Sequence, residues 1–342
     1  MPSKILDKAA KSLKKRGFYG VLGAKLADSV EAIGRRLTYI RDHRSKYRFE
    51  DRSSGRKTLI IVLAGYKAYL WPATLERMKR HAPDDADFCI ASSGVRSSAL
   101  EEMCALNGWS YLSTSRNSPG IAINLSIGLH PAADYVFKLD EDIVIGKHFF
   151  RLLRSGYDRI CEQSLLEPGF CAPVLNVNGI SYRIFLREQG LEQDYQEQFG
   201  KLIARCEDLP VHNNPVTAYW IWQNTLPFDE KCDGFLQNEA RYSVCSTRFS
   251  IGAILFRREF IDKVGGFKSA WHSGVLGVDE DILCRDCVSQ SRPMYIVENV
   301  LAGHFSFYPQ ESLMREKLPE MALMDPVTFP IAHYAREHSN LV

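Results

Sequence analysis

No apolar run in the 342-residue chain reaches the roughly 20 residues that a membrane-crossing helix needs, and no signal-peptide core opens the N-terminus. A protein that is neither integral nor secreted is expected. A disulfide framework is also missing. The nine cysteines, at 89, 104, 161, 171, 206, 232, 245, 284 and 287, are odd in number and sit in mostly hydrophobic contexts. Reduced thiols in a cytoplasmic compartment fit that usage. Cys284 and Cys287 have CxxC spacing, but without a second pair or histidines at matching intervals they read as buried thiols rather than a zinc site. Charge of one sign is scarce too. A net of +2 argues against a nucleic-acid-binding surface.

The charge that is present is uneven. Residues 1–50 hold 13 Lys/Arg against 5 Asp/Glu, a local +8 that leaves −6 for the remaining 292 residues. Apolar positions from Ile5 to Leu37 recur in this arm at mostly helical intervals among the basic residues. Two readings fit: a basic amphipathic helix on an anionic membrane surface, at the inner face of the membrane, or a helix docked on the body with its lysines in water. The charged, apolar-poor stretch 41–57 reads as a linker or surface loop.

From Thr58 the pattern changes. TLIIVLA, ending at Ala64, is a short β-branched run expected to be a buried strand, and a helix follows around Trp71–His81. Strands at Asp87–Ser92, Trp109–Leu112 and Tyr135–Leu139 then alternate with helices at Ser97–Asn107 and after Pro119. Such alternation predicts an α/β fold with a largely parallel sheet. The last of these strands runs into Asp140-Glu141-Asp142, at the sheet edge where α/β proteins bind ligands. Three carboxylates this close repel unless a cation offsets them, and oxygen ligands suit Mg²⁺ or Mn²⁺. A second cluster, Asp279-Glu280-Asp281, follows a glycine-rich stretch and opens an apolar helix-like segment. It can cap that helix, supply a general base, or do both.

In order, these segments resemble the inverting glycosyltransferases of GT-A fold, family 2, over about residues 58–307. The resemblance implies a GT-A type (Rossmann-like) mixed, mostly parallel sheet flanked by helices, preceded by the N-terminal helical arm. It implies a nucleotide site lined by Ala64, Gly65, Tyr66, Ser92 and Ser93, and by Arg116, Asn117, Gly120 and Asn124 of SRNSPGIAINLSIGL, with Lys138, Asp140 and Glu141 on the donor side. It makes Asp142 a metal ligand, with Asp140 and the late His304 of AGHFSF beside it. GVDED looks like the family's acceptor-side acidic motif, which implies Asp281 as catalytic base, Glu280 as its hydrogen-bonding neighbour and Asp279 as the alternative one register step away. Members commonly carry an aspartate after the second strand that reads uracil. Here Ala91-Ser92-Ser93-Gly94 stands there, so a uridine donor does not follow.

The implied activity is metal-dependent transfer of a sugar from a nucleotide-diphosphate-sugar to a hydroxyl of a glycan or lipid-linked acceptor, in cell-surface polysaccharide synthesis. The domain plan is an arm and linker over 1–57, a nucleotide-sugar half over 58–145, an acceptor half over 146–310 with an insertion at about 176–248, and a helical tail over 311–342. Within the insertion, Arg187–Arg205 reads as a polar helix-like run, and Trp220 and Trp222 as a sugar-stacking platform or as buried anchors. A nucleotidyltransferase would place a glycine- and basic-rich phosphate loop beside the first strand, and none is there. A non-catalytic carbohydrate-binding relative would have no need to keep both acidic clusters.

Overall fold

The computed structural model describes residues 44–205, 208–237, 240–269, 277–321 and 323, together with Leu26, Ser29, Val30, Ile33 and Leu37. Most of the amphipathic arm and of the C-terminal tail therefore lies outside the described residues. Of the arm's described positions, Leu26, Ile33 and Leu37 are each more than half exposed. No helix among the described residues is long and apolar enough to cross a membrane.

Ten strands form one sheet: β1 (Tyr47–Glu50), β2 (Thr58–Leu63), β3 (Ala86–Ser93), β4 (Ser110–Thr114), β5 (Tyr135–Asp140), β6 (Ile143–Ile145), β7 (Phe170–Leu175), β8 (Tyr242–Cys245), β9 (Ala253–Arg257) and β10 (Met294–His304), among the described residues. Their order is β1-β4-β3-β2-β5-β9-β7-β10-β6, and β8 pairs with β10 off this path. β2, β3, β4 and β5 are parallel, β9 runs against β5 and β7, and β10 runs parallel to β7. The expected mixed sheet, with most strands pointing one way, is present. β2 reads as an unbroken apolar run because it is sandwiched between β3 and β5 with helices over the sheet faces, so both faces are buried.

The helices longer than four residues among the described residues are α1 (Trp71–His81), α2 (Ser98–Asn107), α3 (Pro119–Leu129), α4 (Phe149–Gln163), α5 (Tyr182–Gln189), α6 (Glu192–Phe199), α7 (Pro215–Thr225), α8 (Phe228–Leu236), α9 (Arg258–Val264), α10 (Val278–Ser289) and α11 (Glu311–Lys317). The α3 helix is apolar nearly all round, and Gly120 through Ile127 are buried against the sheet, as a core helix should be. Two sequence expectations are corrected. The stretch 41–57 is no simple linker: Tyr47–Glu50 pairs antiparallel with β4 and covers an edge that would otherwise stand open. The run Arg187–Arg205 is not one helix, since Gly190, left-handed at φ 68°, ends α5 before α6 begins. The described cysteines carry no disulfide, and Cys284 and Cys287 are buried.

Candidate active site

Because β2, β3, β5, β7 and β10 point the same way, their C-terminal ends share one edge. Leu63 pairs with Asp140 across β2 and β5, and His304 at the end of β10 pairs with Ile143 of β6. Asp142 accepts from the Phe305 backbone N–H at 3.0 Å, so the acidic turn and the histidine are fixed to each other by main chain. Sequence spacing of more than 160 residues thus closes into one crevice.

The three carboxylates have separate surroundings. Asp142, nine-tenths buried, accepts a 2.7 Å bond from Lys67 Nζ and lies 3.6 Å from His304 Nε2. Burial pushes its carboxyl up, but Lys67 and His304 outweigh that and hold it well below the usual range. His304 Nδ1 is 2.8 Å from the Val177 carbonyl, which can only accept, so that nitrogen carries the proton. Nε2 is thereby the ring nitrogen that faces Asp142. Asp140 meets Lys138 Nζ at 2.7 Å, and this lysine also donates to the Ile251 carbonyl.

Glu141 points elsewhere. Its carboxylate accepts from the Gly65 and Tyr66 backbone N–H groups at 3.0 and 2.9 Å and from Trp71 Nε1 at 2.6 Å. Rather than facing a donor, Glu141 anchors the turn between β2 and α1, so the assignment from resemblance is corrected. Lys138 is corrected likewise: it is buried beneath Asp140 as an internal counter-charge. The charge argument also changes, because Lys67, Lys138 and three N–H donors already offset the cluster. Lys67 carried no motif and was missed. Only the turn held by Glu141 brings it back onto Asp142.

Beside the acidic turn the structure gathers Ala64–Tyr66, Ser92–Gly94 and Arg116–Asn117. Ser92 Oγ donates to the Ala64 carbonyl at 2.8 Å, Tyr66 Oη to the Ser93 carbonyl at 2.7 Å, and the Ser118 N–H to Ser93 Oγ at 2.7 Å. Gly94 has φ 76°, and a Cβ there would sit 2.5 Å from Asn117 Cα, so the two loops meet only because no side chain intervenes. Gly120 and Asn124 lie deeper. A Cβ on Gly120 would come 2.8 Å from the Lys268 carbonyl oxygen, and Asn124 clamps the Phe267 N–H and carbonyl at 2.8 Å each. Both join α3 to the segment before the second acidic cluster and do not reach the crevice as ligands.

That second cluster opens α10. Glu280 accepts from Arg248 Nε at 2.7 Å and from the Ile251 N–H at 3.2 Å, which ties the helix start to the loop before β9. Asp281 is exposed, whereas Asp279 is half-buried within electrostatic reach of Lys138 and Arg248. Burial raises the Asp279 carboxyl, the direction that suits a proton acceptor, while Lys138 and Arg248 pull the other way. Residues two apart on a helix lie about 200° apart, so the two aspartates cannot share one role. Asp279, and not the expected Asp281, is the more enclosed of the two.

The tryptophans are framework. Trp222 is fully buried with Nε1 donating to the His304 and Phe305 carbonyls, and Trp220 packs against Tyr195 and Phe199. Nearby, burial first, then His304 and Arg248, pushes the His212 imidazole down to about 4 from 6.5, and its Nδ1 has no hydrogen-bond partner. The unfolded imidazole takes up a proton below pH 6.5 that the folded one refuses until about 4. Stability should therefore fall as pH drops through that window, by about 3 kcal/mol in all from this group. Urea titrations from pH 7 to 4.5 should show a steeper decline in the native protein than in His212→Asn. Equal slopes would show that His212 does not titrate this way.

No protein-family model matches this chain, and no curated protein sequence matches it either. Among solved structures, it is similar to GalNAc-T7 with UDP, GalNAc and Mn²⁺ at 10% identity and a TM-score of 0.46, over 83% of this chain and 54% of that one. It is similar to the mannosyltransferase PcManGT from Pyrobaculum calidifontis in complex with GDP-Man and Mn²⁺ at 13% identity and a TM-score of 0.43, over 98% and 82%. It is similar also to S. aureus TarS 1–349 in complex with UDP-GlcNAc at 10% identity and a TM-score of 0.44, over 81% and 69%. The chain spans about half the length of the first of these.

Proposed function

We propose that this chain is an inverting, metal-dependent glycosyltransferase that moves a sugar from a nucleotide-diphosphate-sugar to an acceptor hydroxyl. The observation that carries the reading is the pairing of Asp142 with a His304 oriented by the Val177 carbonyl at the strand ends, with a half-buried Asp279 near Lys138. Asp142 and His304 Nε2 fit a divalent ion as neighbouring ligands, and Asp140 lies close enough to both to interact electrostatically. Among the described residues no three acidic, histidine or cysteine side chains form a complete cage. Mg²⁺ and Mn²⁺ suit such an incomplete set, since they typically keep waters and substrate phosphates in their shell.

A bound ion would supply Lewis-acid stabilisation of the departing diphosphate. The chain's own groups do the remainder. Lys67 adds positive charge beside Asp142, where the leaving group's negative charge would develop. The loops at Ala64–Tyr66, Ser93–Gly94 and Arg116–Asn117 line the nucleotide. Asp279 takes the proton from the attacking hydroxyl, and Glu280, held by Arg248 and the Ile251 N–H, fixes the helix that presents it. Attack opposite the leaving group needs no covalent enzyme intermediate. Titration of UDP, GDP and dTDP with and without Mn²⁺ tests the donor half: at least one should bind in a chelator-sensitive manner. Metal-independent or absent binding for all three would refute it.

A further inference from the structure

Past the acidic crevice lies a cavity of about 540 Å³, within the ordinary range of small-ligand sites. It adjoins the proposed chemistry on two sides. Glu280, next to Asp279, lines one wall, and Asn178, which follows the Val177 carbonyl that orients His304, lines another.

We propose that this cavity seats an uncharged pyranose unit of the acceptor, with Tyr308 as its stacking platform, an assignment that rests on the transferase reading above. A pyranose has a ring face of C–H groups and a rim of hydroxyls that both donate and accept. The cavity offers the complement. Tyr308, 90% exposed, presents an aromatic ring at its edge between Phe307 and Pro309, with no protein group covering it among the described residues. An exposed aromatic of this size is apolar surface awaiting a flat partner. Asp208, Asn213 and Ser250 supply carboxylate, amide and hydroxyl groups around the same space.

The charge balance selects among ligands. Asp208 and Glu280 line the cavity against Arg248, whose Nε already donates to Glu280 at 2.7 Å. His212, held neutral at ordinary pH, adds no positive charge. With acids in excess, a phosphate or uronate would meet repulsion, whereas a neutral sugar finds hydrogen-bonding groups. The buried ring of His212 packs edge-on to Phe307, the residue before Tyr308, at 4.5 Å and backs this wall.

Ligand-observed saturation-transfer NMR on the full chain tests the proposal with methyl glucopyranoside, methyl galactopyranoside and methyl N-acetylglucosaminide as neutral probes. Methyl glucuronide and glucose 6-phosphate serve as anionic ones. At least one neutral probe should bind, Tyr308→Ala should weaken it about fivefold or more, and Tyr308→Phe should retain it. Thermal unfolding of each variant checks that the fold is intact. Absence of binding by all neutral probes, equal binding in Tyr308→Ala, or preference for the anionic probes would overturn the proposal. Release of nucleoside diphosphate from donors by the native protein is measured on the same sample. Its absence would sink the transferase reading independently of the sugar result.

Discussion

Asp279→Asn is expected to leave nucleotide-sugar binding largely unchanged while lowering turnover, to acceptor or to water, about a hundredfold or more. The amide keeps the shape of the carboxylate but cannot accept the proton from an attacking hydroxyl. Asp279 is singled out by its setting: half-buried in the first turn of α10, raised by burial, and near the lysine that holds Asp140. Asp281 faces solvent instead, so Asp281→Asn should change turnover only modestly. Parallel kinetics of the two variants decide the register. Loss of turnover in Asp281→Asn with retention in Asp279→Asn would reverse the assignment.

Asp142→Ala should weaken Mn²⁺-dependent nucleotide binding about tenfold or more, or about 1.4 kcal/mol. Two effects separate in this variant. The proposed ion loses a carboxylate ligand, while Lys67 loses the partner that holds it at 2.7 Å and becomes available to phosphate. The chelator-insensitive part of binding should therefore hold or rise as the metal-dependent part falls. Titration calorimetry with Mn²⁺ and then with chelator resolves the two. Unaltered metal dependence in Asp142→Ala would remove Asp142 from the ion's shell.

Much of the scaffold was legible because its signals are local. The β2 run, the helix Trp71–His81 and the strand feeding Asp140 follow from apolar periodicity and appear where those patterns place them. The edge strand Tyr47–Glu50 was not, since a short half-exposed strand with charges carries almost no period and is defined by its pairing with β4. Within the site, the donors that claim Glu141 come from a turn and a helix about 70 residues earlier. Lys67 and Lys138 were undervalued for the same reason: their roles as counter-charges exist only after the chain has folded. At 279–281 three consecutive acids give no phase of their own. Which one faces inward depends on how Glu280 is gripped by Arg248 and the Ile251 N–H.

A screen of nucleotide-diphosphate-sugars with Mn²⁺ and no acceptor, read as release of nucleoside diphosphate, tests the central claim most directly. Slow hydrolysis of at least one donor is predicted, abolished by chelation and strongly reduced in Asp142→Ala and Asp279→Asn. No release from any donor, or release indifferent to chelator and to both substitutions, would contradict it.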